Sequence, residues 1–196
     1  MTSVRHNQRV DEDAVLDAAR DCVLAIGVRR TTLTDIARRA GVSRMTLYRR
    51  WPDVRTLVGD LMTREWLALA AEVVSETSGD ARTRLVDTLV TGTRRIREHP
   101  LFRKIVEVDP ERLLPYLVTR LGASQTAYLR LIETELIAGH ADGTVRVGVP
   151  ARQARSVLLI VQSFALSLPT MTGEGELTDD AFDDELRHIL NSALAP

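Results

Sequence analysis

The chain has little of several things on which protein chemistry often depends. Its one cysteine, Cys22, excludes an internal disulfide framework and suits a reducing compartment. Its four histidines, His6, His99, His140 and His188, lie far apart and share no metal-ligand spacing with each other or with Cys22. No metal and no cofactor is therefore expected. No run approaches the roughly 18 apolar residues that a membrane helix needs, and "MTSVRHNQRVDED" lacks the apolar core of a secretory signal. The expectation is a cytoplasmic protein with no membrane partner. A P-loop, a dinucleotide fingerprint and a nucleophile elbow are all missing. The acidic stretch "DDAFDDE" lacks the spacing of a calcium loop and reads as the solvated start of a helix. An enzyme is not expected.

What is present describes an ordinary globular chain: 196 residues, 27% charged and 44% hydrophobic, enough for a real core. The net charge of −1 conceals an asymmetry. Residues 1–55 carry +4 and the remainder −5, and between Arg29 and Arg55 eight arginines face only Asp35 and Asp53. A basic end on an acidic body suggests a polyanionic partner for that end alone.

Local signals then place helices. Asp11, Glu12 and Asp13 suit a helix N-terminus, and Val15, Ala18, Ala19, Cys22, Val23 and Ile26 recur at helical spacing up to Gly27. On that stripe Cys22 reads as a core thiol. Thr32 and Asp35 form an approximate capping box for a second helix, with Ile36, Ala37 and Ala40 inside and Gly41 at its end. Ser43 caps a third helix almost at once. That helix is too short to survive alone, so Val42 and Leu47 must anchor it. Two short helices joined by a tight glycine turn are the geometry of a helix-turn-helix. The outer face of the second carries Arg44, Met45, Thr46, Tyr48 and Arg49, with Arg50 beside them. Arginine can pair bidentately with guanine edges, and hydroxyl groups suit phosphate oxygens.

The stretch "TTLTDIARRAGVSRMTLYRR", residues 31–50, resembles the DNA-binding signature of the TetR family of bacterial transcriptional regulators. The pattern runs through Thr32, Ile36, Ala37, Ala40, Gly41, Val42, Ser43, Thr46, Leu47 and Tyr48. The resemblance implies base contacts from Arg44, Met45 and Arg49, helped by Thr34. It implies phosphate contacts from Thr32, Thr46, Tyr48 and Arg50, and Ser43 is counted with the same DNA-binding set. Trp51 replaces the usual phenylalanine, and Arg50 a common histidine or tyrosine. Val54 stands where many members carry a phosphate-binding lysine, and the adjacent Arg55 is the substitute. A head that no longer grips phosphate would give the alternative, a helical small-molecule sensor acting through protein partners without DNA.

The expected fold is all-α: a three-helix head over residues 1–55 and a helical ligand-binding and dimerisation body over 56–196. A long helix opened by Pro52 joins them, which the resemblance makes a lever between ligand and DNA. In the body, residues 81–98 are helical, "HPLFRKIVEVDP" is a short helix in which His99 caps, and 111–139 is a helical stretch broken near Pro115 and Gly122. "GHADGTVRVGVP" reads as turn and loop, and "TVRV" as the one strand-like scrap. Residues 151–168 are apolar nearly all round, and the last helix has a broad apolar stripe. Pairing both with their copies makes a two-fold four-helix interface. Its expected members are Val157, Leu158, Val161, Phe164, Ala165, Leu168, Phe182, Leu186, Ile189, Leu190 and Ala193. Such a homodimer suits a near-palindromic double-stranded DNA operator. The resemblance further implies a repressor released by a small-molecule effector held in a mainly apolar cavity. Candidate liners are Met62, Trp66, Phe102, Ile105, Tyr116, Gln125, Tyr128, Gln162 and Phe164, with the two amides favoured because a buried amide needs a partner.

Overall fold

Residues 11–196 are described in a computed structural model; the expectations for His6 and the extreme N-terminus fall outside them. Ten α-helices follow in order: α1 (Glu12–Ile26), α2 (Leu33–Arg39), α3 (Arg44–Arg50), α4 (Val54–Glu76), α5 (Ala81–Glu98), α6 (Pro100–Val108), α7 (Leu114–Val118), α8 (Ala123–Asp142), α9 (Pro150–Ser167) and α10 (Asp179–Leu194). Short 3₁₀ turns occupy Pro110–Arg112 and Leu168–Thr170. The described residues contain no strand, and "TVRV" belongs to the loop before α9.

Capping explains where the first helices begin. The Asp11 carboxylate accepts from the amides of Asp13 and Ala14. Thr32 Oγ1 accepts from the Asp35 amide at 3.2 Å and donates to its carboxylate at 2.5 Å. Ser43 Oγ accepts from the Thr46 amide at 3.2 Å. At α4 the cap is Asp53, whose carboxylate accepts from the Thr56 amide at 2.7 Å. Pro52 therefore lies outside the helix rather than opening it, because a side-chain acceptor satisfies an orphan N–H and a proline ring cannot. Gly41, at φ 68, makes the turn between α2 and α3 that a side chain would strain.

Two cores result. The head core centres on Val15, Ala19, Val23, Ile36, Leu47 and Trp51, all fully buried. It also takes Leu57 and Leu61 from α4 and Leu101 and Ile105 from α6, so head and body share apolar packing. The seven-residue α3 depends on this packing, since Leu47 is its one fully buried side chain. The body core brings together α5, α8, α9 and α10.

That core changes how three stretches are read. Val157, Leu158, Val161, Leu168, Leu186 and Leu190 are buried within a single chain. Packing against the chain's own helices accounts for their apolar character, with no second subunit needed. The large apolar side chain that α9 does leave in solvent is Leu159, 69% exposed. Phe164, Ala165, Phe182, Ile189 and Ala193 are half-buried. The acidic start of α10 is not wholly solvated either: Asp183 is buried, with Arg97 Nη2 at 2.7 Å, while Asp180 pairs with Arg94. Finally, α8 runs on through Gly139 and His140 to Asp142, into the stretch expected to be loop, and stops at Gly143 with φ 76.

Candidate functional site

Helix α3 presents its polar side outward. Met45 is 81% exposed and Tyr48 50%, and Arg44 and Arg49 are exposed beside them. Thr34 and Thr46 are half-buried, with Thr46 Oγ1 2.7 Å from Ser43 Oγ. The hydroxyls of Thr32 and Ser43 thus serve as helix caps as well as standing on this face. Arg50 is differently employed. Its Nε donates to Glu12 at 2.9 Å, and its guanidinium lies 5.3 Å from the centre of the Trp51 ring. Arg55 extends into solvent with Asp53 at 3.8 Å. Beneath them Trp51 fills the head core and donates from Nε1 to Asp60 at 2.8 Å. The larger ring therefore anchors α3 and also ties it to α4.

A cavity of about 1020 Å³ lies in the body among α4, α5, α8 and α9 and the segment around α7. Eight of the nine expected liners border it: Met62, Trp66, Phe102, Ile105, Tyr116, Gln125, Tyr128 and Gln162. Phe164 does not, because it turns onto the body core. Trp66 meets His99 and Phe102 edge-on, with ring centres 4.9 Å and 6.1 Å apart. Tyr128 donates its hydroxyl to the Trp66 carbonyl at 3.0 Å, and burial pushes its pKa up to about 12. The two amides differ. Gln125 is satisfied inside the chain, accepting from the Gly122 amide at 2.8 Å and donating to the Tyr116 carbonyl at 3.0 Å. Gln162 makes no side-chain hydrogen bond among the described residues, which leaves it open to a ligand.

His99 is the expected cap of α6: its Nδ1 accepts from the Leu101 amide at 3.3 Å. Its other nitrogen lies 3.6 Å from Glu65, yet its pKa is lowered, because burial outweighs that carboxylate. Cys22 is the inert core thiol expected, its pKa raised by burial.

One link between body and head escaped the sequence. Asp109 caps the C-terminal end of α6 and is fully buried. Its carboxylate accepts from the Val28 amide at 2.7 Å and the Arg29 amide at 3.3 Å, in the turn between α1 and α2. Gly27 permits this approach. It sits at φ 80, and a Cβ there would stand 2.8 Å from Asp109 Oδ2. Val28 itself borders the cavity. No local motif marks Asp109, since its partners lie some eighty residues away.

The family described as "Bacterial regulatory proteins, tetR family" matches residues 15–61. An HTH-type transcriptional regulator of Mycobacterium bovis is 38% identical over 189 residues, covering 96% of this chain and 97% of the relative. The chain belongs to the TetR family of bacterial transcriptional regulators. In this TetR-family chain α2 and α3 are the helix-turn-helix, and its class is that of regulators rather than enzymes. Solved TetR-family folds agree along its length. The R. erythropolis transcriptional repressor QsdR superposes with a TM-score of 0.70 at 18% identity, covering 94% of this chain and 96% of that one. The SmeT–triclosan complex superposes with a TM-score of 0.61 at 22% identity, over 94% and 91%. No helix among the described residues is long and apolar enough to cross a membrane, and they contain no His, Cys, Asp and Glu cluster of metal-site size.

Proposed function

We propose that this TetR-family regulator binds a near-palindromic double-stranded operator as a cytoplasmic homodimer, represses there, and is released by a small molecule. The observation that carries the proposal is that one cavity touches both ends of the device. It is lined by Trp66 and Tyr128 in the body and by Val28 and Arg55 at the head. A ligand filling it bears on the elements that aim α3.

Arg44, Met45 and Arg49 are assigned to base edges, with Thr34 assisting. Thr32, Ser43, Thr46, Tyr48, Arg50 and Arg55 are assigned to phosphates. Arg50 must exchange Glu12 for a phosphate, a small cost because both side chains are about half exposed. The dimer surface is assigned to the outer sides of α9 and α10: Leu159 with Phe182, Ile189 and Ala193, whereas Phe164 packs on the body core and Ala165 borders the cavity. That pairing sets two copies of α3 roughly 34–36 Å apart, one turn of DNA, or a multiple of it. Helix α4, with its 23 residues, is about 34 Å long. A few degrees of tilt at its body end therefore shift the head by ångströms. The structure of SmeT with triclosan supports a small-molecule trigger on this fold.

Footprinting on DNA flanking the gene, followed by random-sequence selection, tests the proposal. The expected result is a protected near-palindrome whose affinity falls steeply with salt as arginines displace counterions. Absence of any selected site would overturn it.

A further inference from the structure

The cavity follows one stripe of α4 from Thr56 to Thr77, about 30 Å of helix at 1.5 Å per residue. A volume of about 1020 Å³ spread over that length leaves a narrow cross-section. Its walls are mainly apolar, with Trp66 and Phe102 on one side and Leu158 and Val161 on another. That shape suits a chain-like molecule better than a compact polycycle.

Four arginines among the described residues border the cavity, and they are not equivalent. Arg84 is paired with Glu135 at 2.8 Å, and Arg55 has Asp53 at 3.8 Å. Arg112 and Arg120, both on the segment around α7, have no carboxylate partner among the described residues. Arg120 lies over the Tyr116 ring at 5.1 Å, which occupies one face of its guanidinium. Arg112 has no such substitute. Its Nε is buried with no hydrogen-bond partner, and Glu111, next to it in the chain, is exposed and makes no ion pair with it. A half-buried guanidinium with a buried, unpartnered Nε on the wall of an apolar cavity calls for an anion.

We propose that the cavity binds an elongated apolar chain ending in one anionic group, a carboxylate or a phosphate ester, and that Arg112 holds that end. This rests on the cavity being the regulator's ligand site, and it adds the ligand's chemical class and the residue that selects it. Arg112 fixes the charged end beside the 3₁₀ turn Pro110–Arg112, and the apolar tail runs toward Trp66 and Val161. An uncharged chain of the same length fills the same walls but leaves the guanidinium unpaired.

The test is displacement of a neutral fluorophore, Nile red, from the full-length protein by dodecanoate, dodecyl phosphate and 1-dodecanol. The expected result is that at least one of the two anions displaces the dye at least about tenfold more tightly than the alcohol, the worth of one charge-assisted hydrogen bond. Which anion leads separates a carboxylate ligand from a phosphate ester. Arg112→Gln should bring anion and alcohol to parity while leaving alcohol binding unchanged, and Arg112→Lys should restore most of the preference. Equal binding of alcohol and anions by the unaltered protein, or a preference that survives Arg112→Gln, would overturn the anion assignment and leave the cavity intact as an apolar ligand site. Failure of all three to displace the dye would overturn the chain-like ligand itself.

Discussion

Arg49 and Arg50 are neighbours in the chain with different surroundings. Arg49 stands in solvent, whereas Arg50 is held by Glu12 and the Trp51 ring. Replacing Arg49 with alanine should cost about 1–3 kcal/mol of operator affinity and relax the preference at one base pair, measured by fluorescence anisotropy on operator and random duplexes. An equal loss on both duplexes would make it a phosphate contact. His99 supplies a second residue-level prediction. Its folded pKa lies below the ordinary 6.5, chiefly because burial disfavours the charged ring, and its Nδ1 must stay unprotonated to cap α6. Below about 6.5 the unfolded chain binds a proton that the fold resists, so stability falls as pH drops. His99→Asn keeps a capping oxygen and removes the titration. Urea unfolding at pH 5.5 and 7.5 should therefore show a smaller pH difference in the variant.

Among the elements, the corner after α6 joins the two halves most directly. Asp109 holds the backbone of the α1–α2 turn, and Gly27 leaves room for it to do so. Asp109→Ala strands the buried Val28 amide and should cost about 1–3 kcal/mol. Hydrogen exchange at Val28 and Arg29 should accelerate more than exchange in the α8–α9 core. Gly27→Ala should fail in a related way, because it meets both an unfavourable φ and a Cβ overlap with the same carboxylate. Uniform acceleration across all helices in either variant would contradict a local clamp. Helix α3 shows the same dependence on context: its sequence caps it well, but only the packing of Leu47 into the head core keeps seven residues helical.

For the whole molecule, the decisive surface is the outer side of α9. Leu159 is the large apolar residue that the folded chain leaves there in solvent. Leu159→Glu should shift a dimer toward monomer in sedimentation velocity and weaken operator binding, with the helical circular dichroism unchanged. A monomeric state in the unaltered protein would instead remove the two-fold DNA arrangement proposed above. Substitution of Leu186 or Leu190, by contrast, should unfold the body, since both are fully buried inside one chain. A Leu→Ala change at either should cost about 2–5 kcal/mol.

Local chemistry along the chain is enough to specify the parts that depend on near neighbours. Capping side chains at Asp11, Thr32 and Ser43, glycine turns and the 3.6-residue period place the head helices, and the spacing from Thr32 to Tyr48 carries the family. The aromatic and amide liners of the cavity are legible too, because such groups stand out in an otherwise aliphatic body. Folding in three dimensions settles which apolar stripe faces inward and which faces solvent. A buried core and a subunit interface have the same residue composition, so Val157 and Leu190 read as interface in the sequence and are core in the fold. The fold also settles the fate of charges whose partners are remote in sequence. Asp183 on Arg97, Asp109 on the Val28 amide, and Arg112 with no carboxylate among the described residues all depend on distances across the fold. A charge pattern read along the chain contains no such distances.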